Sequence, residues 1–136
     1  MGLTQNWTRE TQQGEVRMRE FTTGATRDND NAKHDPEGFN SPLVELRFCE
    51  YMTKHRKQAD GKLRNSDNWQ KGIPLDAYMK SMMRHMQDVW LHHRGYSNKA
   101  KEPLEEALCA LRFNINGYLL EVLKASSGEV SVKDQD

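Results

Sequence analysis

Apolar residues recur at helical spacing in the middle and C-terminal parts of the chain, but not near its N-terminus. Between residues 1 and 38 they are isolated in a stretch rich in Thr, Gln, Asn, Asp and Gly, and no period persists. A stretch of this kind lacks the apolar surface that a packed core needs. We therefore predict a flexible polar arm at 1–38, a helical domain at 39–125 and a flexible tail at 126–136.

Prolines at helix starts define three main helices. The predicted helices run from Pro42 to about Arg56, from Pro74 to Gly95 and from Pro103 to about Ser126. Proline suits the first helical position, and glycine the position just after a helix. No strand pattern interrupts this region, so the predicted fold class is all-α. Three helices bury little apolar area, and we expect a small helical bundle completed by oligomerisation.

Two of these helices carry apolar stripes that we expect to be buried. In the second helix the stripe consists of Met79, Met82, Met83, Met86, Val89 and Trp90. The third helix has one stripe of Leu104, Leu108, Leu111, Ile115, Tyr118, Leu119 and Val122, and a second of Cys109, Phe113 and Leu120. We expect this second stripe to meet another subunit. On the second helix, Asp88 and His92 lie nearly opposite the methionines and are expected to face solvent.

The equal numbers of acidic and basic residues bear on whether the protein binds nucleic acid. The chain of 136 residues has 20 basic and 20 acidic side chains and a formal net charge of 0. A protein that binds nucleic acid through its phosphates usually has a basic excess, so the sequence carries no strong nucleic-acid signal. No apolar run approaches membrane-spanning length, and none resembles a cleavable leader. We expect a cytoplasmic protein without a membrane partner.

Two acids lie beside apolar helical positions and are candidates for chemistry. Glu45 is followed by apolar residues at i+3, i+4 and i+7, and Glu106 has a similar environment. Carboxylates brought together from facing helices are how bundles bind Mg²⁺ or Mn²⁺. Alternatively, Glu106 is a first-turn acid that stabilises its helix N-terminus. His85 and Asp88, three residues apart, are placed to share a metal or a phosphate.

Several motifs together resemble a known family. They are Gly24-Ala-Thr-Arg-Asp28, the Pro42–Tyr51 helix, Asp67-Asn-Trp-Gln-Lys-Gly-Ile-Pro-Leu75, Ser81-x-x-Arg84-His85, and a last helix with an acid and Asn114. Over about residues 22–124 the chain resembles the dATP/dGTP diphosphohydrolase N-terminal family, found mainly in phages. The resemblance implies an all-α relative of the MazG-like nucleotide pyrophosphatases, located in the host cytoplasm. It also implies hydrolysis of a purine deoxynucleoside triphosphate to monophosphate and pyrophosphate with Mg²⁺ or Mn²⁺.

The resemblance also implies roles for individual residues. The implied catalytic residues are Glu45, His85 and Glu106. Glu45 and Glu106 are the candidate metal ligands, with His85 or Asp88, which lies outside the matched motifs, completing the set. The implied substrate-binding residues are Arg27, Asn68, Trp69, Lys71, Arg84 and Asn114. The cations are suited to phosphates. Trp69 is suited either to stacking on a base or to packing under a loop. One departure is that the E-x-x-E and E-x-x-D pairs of the wider pattern are not intact here.

Two other functions remain open at this stage. A member of this family that has lost its acid pattern would bind or sequester a nucleotide without hydrolysing it. The third helix, apolar on two sides, would also suit a helical module that binds another protein.

Overall fold

The computed structural model describes residues 18–29 and 33–128. The chain divides into two compact units, Met1–Ser41 and Pro42–Asp136. Residues 1–17, 30–32 and 129–136, which include most of the predicted tail and much of the predicted arm, lie outside the described residues.

The first unit contains a short β-hairpin that the sequence analysis did not predict. Strands β1 (Met18–Glu20) and β2 (Thr26–Asp28) pair antiparallel. Gly24 in the connecting turn has a φ of +90°, a conformation that glycine adopts without strain. A four-residue helix, α1 (Pro36–Phe39), follows. Strands of three residues are too short to show the alternation by which strands are recognised in a sequence.

The second unit is helical, which confirms the predicted fold class. Its helices are α2 (Pro42–Lys54), α3 (Leu75–His93) and α4 (Leu104–Ser126). Each starts at, or one residue after, a predicted proline. Within the part of the chain that the structure describes, no helix is long and apolar enough to span a membrane.

Helices α3 and α4 form an antiparallel hairpin that is closed by a tyrosine lying against a glycine. Tyr78 on α3 is only 1 % exposed, and a Cβ atom added to Gly117 on α4 would overlap its ring. Ala107 and Ala110, also on α4, are fully buried. Small side chains along α4 therefore allow α3 to approach closely. Burial, together with the nearby Glu121 carboxylate, raises the pKa of Tyr78 to about 12.

The hairpin buries a different face of α3 from the one we predicted. Asp88 is buried and His92 is half-buried, so the prediction that both face solvent was wrong. Most of the methionine stripe is instead exposed, Met83 most of all. The helical period was correct, but the face was chosen by hydrophobicity alone. Close packing against small residues of α4, and hydrogen bonds to the following connection, determine which face is buried.

Helix α2 packs on a separate side of α4. Tyr51 of α2 forms a core cluster with Cys109 and Ala110, joined by Phe113 and other partly buried side chains. The stripe containing Cys109 and Phe113 is therefore covered within the chain, and the prediction that it meets another subunit was wrong for these residues. The first stripe of the third helix, by contrast, leaves side chains such as Ile115 exposed.

We predict that Gly117→Ala destabilises the protein. Alanine gains about 1 kcal/mol of helix propensity over glycine, but overpacking in a core costs about 1–3 kcal/mol. Because the added methyl group would overlap the buried Tyr78 ring, the clash should exceed the gain. Urea unfolding followed by circular dichroism measures the difference.

The control for this prediction is the same substitution in a Tyr78→Ala background. There the clash is gone, so Gly117→Ala should be neutral or stabilising. Equal destabilisation in both backgrounds would show that the tyrosine is not the obstacle.

Candidate functional site

A cleft of about 460 Å³ lies between the end of α2, the segment that follows it, and α4. Its volume is in the range of small-molecule sites. Its lining side chains are Cys49, Tyr51, Met52, Thr53, His55, Arg56, Arg64, Asn65, Ser66, Asn68, Trp69, Ile73 and Phe113. Aromatic, cationic and amide groups thus share one cavity.

One wall of the cleft is built by a tight reversal of the chain after α2. The Arg64 amide donates to the Arg56 carbonyl at 2.9 Å, and the Arg56 Nε donates back to the Arg64 carbonyl at 2.9 Å. Between them, Gly61 has a φ of +84° and permits the turn. The Gly61 amide donates to the Gln58 carbonyl at 3.0 Å, which closes the turn. It brings two guanidinium-bearing residues to the same cavity.

A second wall is the short 3₁₀ turn Asn68–Lys71, which carries Trp69. The Trp69 ring meets Phe113 of α4 edge to face, with centroids 5.8 Å apart. Lys124 of α4 donates to the Gln70 carbonyl at 2.9 Å and to the Glu121 carboxylate at 3.2 Å. The turn is thus fixed to α4 at two points, and Trp69 lies half-buried at the cleft.

The third group in the cleft is an imidazole placed near a carboxylate. The His55 ring packs against Tyr51 at a tilt of 40° with centroids 4.2 Å apart, and its Nε2 lies 3.9 Å from Glu106 Oε1. Glu106 also accepts hydrogen bonds from Arg47 at 2.8 Å and Lys54 at 3.2 Å. The Arg47 hydrogen bond lowers the pKa of Glu106, burial opposes this, and Lys54 adds to the lowering. Glu106 is therefore held ionised beside the imidazole.

The three carboxylates predicted as metal ligands lie in separate environments. One Arg112 nitrogen donates to both Glu45 oxygens, at 2.8 and 2.9 Å. Glu106 is held by the two cations described above, and Asp88 accepts from the Lys101 amide at 3.1 Å. In the described part of the chain, no group of three or more His, Cys, Asp or Glu side chains is placed to hold a metal ion. As arranged, these residues do not fit the implied Mg²⁺ or Mn²⁺ site, and the ion remains a prediction.

His85, predicted to be catalytic, belongs to a group that holds the connection between α3 and α4. Its Nδ1 lies 2.7 Å from Glu102 Oε1. His92 contacts the Glu102 carbonyl through Nε2 at 2.6 Å and Ser97 Oγ through Nδ1 at 2.9 Å. Asp88 binds the Lys101 amide in the same connection. None of the three α3 side chains lines the cleft.

Of the predicted substrate-binding residues, some line the cleft and the others lie outside it. Asn68 and Trp69 line the cleft, whereas Lys71 is exposed on the same turn and outside the lining. Arg84 is exposed and donates to Ser81 Oγ at 3.1 Å. Asn114 is buried and donates to the Ala110 carbonyl at 2.8 Å. Arg27 lies on β2 of the first unit.

The cleft residues that the sequence analysis missed include Tyr51, His55, Arg56 and Arg64. A signal for the first two was present, since i, i+4 spacing places an aromatic ring and an imidazole on one helix face. The pairing of Arg56 with Arg64 depends on the chain reversal at Gly61, which a helical wheel does not show.

We predict that Glu106 contributes acid-sensitive stability. Its pKa in the folded protein is below the ordinary value of 4.5. Its contribution is therefore complete above about pH 4.5 and is lost as the pH falls through the folded pKa. Thermal melts between pH 3 and 7 should show a weaker acid loss in Glu106→Gln, by less than about 1 kcal/mol.

Glu50→Gln is the control for the pH measurement. Glu50 is exposed on α2 and has no ion pair among the described residues. The substitution removes the same charge without breaking a salt bridge. An unchanged acid profile in Glu106→Gln would contradict the assigned pairing.

Comparisons with known proteins assign no family to the chain. No protein-family model, curated protein or solved structure matches it. The family named from the sequence motifs remains a resemblance. The function is therefore inferred from the cleft and its neighbours.

Proposed function

We propose that the protein binds a purine deoxynucleoside triphosphate in the cleft between α2, the turn at Asn68–Lys71 and α4. The observation that carries the proposal is the combination of Trp69 with Arg56 and Arg64 in one cavity. Stacking of a base on an aromatic ring contributes about 1–3 kcal/mol. Arginine is the residue best suited to phosphate because its planar fork binds two oxygens at once.

The chemistry of the walls suggests how the ligand lies. The base would occupy the aromatic wall at Trp69, and the phosphates would lie toward Arg56 and Arg64. Asn65 and Asn68 offer both donors and acceptors for the edge of a base or for a sugar hydroxyl. The preference for a purine deoxynucleotide comes from the family resemblance, and the cleft supports the broader class of nucleoside phosphates.

We further propose that the bound triphosphate is hydrolysed to monophosphate and pyrophosphate. In this reaction water attacks the α-phosphorus, and the bond to the departing pyrophosphate oxygen breaks. His55 supports this step, since an imidazole near a carboxylate is suited to accept the proton of the attacking water. Since the described residues contain no group of three or more side chains that could hold a metal ion, the reaction is assayed both with Mg²⁺ or Mn²⁺ and without them.

A non-catalytic nucleotide-binding protein is the second candidate. The observation that favours it is that Glu45, His85 and Glu106, which the resemblance implies are catalytic, each bind a nearby side chain of the same chain. Such a protein would retain the cleft and return its ligand unchanged. Binding and hydrolysis are therefore tested separately.

The binding proposal predicts a loss of affinity in Arg64→Met. Calorimetric titration of the purified protein with each deoxynucleoside triphosphate should show the tightest binding with dATP or dGTP. Loss of one charge-assisted phosphate contact costs about 1.5–3 kcal/mol, which weakens binding by at least about tenfold.

Arg84→Met is the matched control because it removes the same charge from an exposed site on α3. It should bind like the wild type. If Arg84→Met weakens binding more than Arg64→Met does, the ligand lies over α3 and the cleft assignment is wrong. No binding of any of the four nucleotides would reject the proposal.

The hydrolysis proposal predicts that His55→Ala lowers the rate of pyrophosphate release by at least about 100-fold, the usual effect of losing a general base. The assay is run with Mg²⁺, with Mn²⁺ and with chelator. His93→Ala, which removes an exposed histidine at the end of α3, should keep the wild-type rate.

Glu45→Gln distinguishes the two accounts of the reaction. It should retain activity if His55 carries the reaction, and lose it if Glu45 is a metal ligand as the resemblance implies. Tight binding of dATP or dGTP without pyrophosphate release under any condition would establish the non-catalytic alternative.

A further inference from the structure

The hairpin of α3 and α4 leaves apolar side chains of α3 uncovered. Met79, Met83, Met86 and Trp90 are between 44 % and 66 % exposed. Their spacing of i, i+4, i+7 and i+11 places them in one stripe along the helix. This is the spacing by which helices pack lengthwise against other helices.

Helix α4 carries a matching stripe. Leu108, Ile115, Leu119 and Val122 are between 43 % and 53 % exposed, at spacings of i, i+7, i+11 and i+14. On each helix the stripe lies roughly 130–150° from the buried seam in the same rotational sense, taking 100° per residue. Because the two helices run antiparallel, equal rotations bring both stripes to the same side of the hairpin. We call these eight side chains the open face.

The open face is large for a surface that stays in water. Side chains of this size expose on the order of 150–200 Å² when free, so eight at about half exposure present on the order of 700 Å². The largest apolar patch of a typical monomer is about 300–600 Å². One partner in a standard protein interface contributes about 800 Å². The open face therefore has nearly the area that a stable dimer needs.

We propose that the open face binds the open face of a second copy of this chain. Two hairpins joined in this way form a dimer with two-fold symmetry, in which the same face of each copy meets the other. Both stripes have the lengthwise spacing that a pair of helices presents to another pair, and a second copy supplies such a pair. The formal net charge of 0 adds no overall repulsion between copies. This inference does not depend on nucleotide binding.

The test is the mass of the full-length protein in solution. Sedimentation equilibrium at about 1–100 μM should give the mass of two chains for the wild type. Met83→Glu places a charge within the open face and should raise the dimer dissociation constant by at least about 100-fold. Leu43→Glu is the control, since Leu43 is equally apolar and 75 % exposed but lies on α2.

Dimeric wild type and Leu43→Glu, together with folded, monomeric Met83→Glu, would support the proposal. Circular dichroism checks that both variants are helical, and Ile115→Glu on α4 provides a second disruption if Met83→Glu fails to fold. A wild-type protein that is monomeric at 100 μM would overturn the proposal. So would a monomer that co-sediments with anionic lipid vesicles, which would assign the open face to a membrane surface.

Discussion

The contact between Tyr78 and Gly117 sets the geometry on which the rest of the helical unit depends. The buried ring of Tyr78 occupies the space that any side chain at position 117 of α4 would need. The contact fixes which faces of α3 and α4 meet, and small residues at Ala107 and Ala110 let the backbones approach along the seam. With Tyr78 and Asp88 buried on one side of α3, most of its methionines lie on the exposed side. The exposed apolar stripe is thus a consequence of how the hairpin closes.

Helix α4 positions the other elements of the helical unit because each of its sides contacts a different one. One side meets α3, and another packs on α2 through Cys109 and Phe113. Phe113 and Lys124 also hold the turn that carries Trp69. The helix that packs against α3 therefore also positions the walls of the cleft. A change in the seam would be expected to alter the position of Trp69.

The sequence predicted features that depend on neighbouring residues and missed those that depend on distant ones. Proline fixes the backbone locally, so the starts of α2, α3 and α4 were predicted closely. The partners of Glu45 and Glu106 come from other helices, and no helical wheel reveals Arg112 or Arg47. The buried face of α3 was misjudged because apolar content alone did not account for the small residues of α4.

The same reasoning explains why only part of the candidate site was predicted. Asn68 and Trp69 belong to one continuous motif, and both line the cleft. His55 and Arg64 reach it from α2 and from a chain reversal, so only the folded chain brings them together. Phe113 faces the cleft, whereas Ile115 and Leu119 on the open face lie on nearly the opposite side of α4. The proposed association through the open face would therefore leave the cleft accessible, so the proposed ligand binding and self-association could be altered independently.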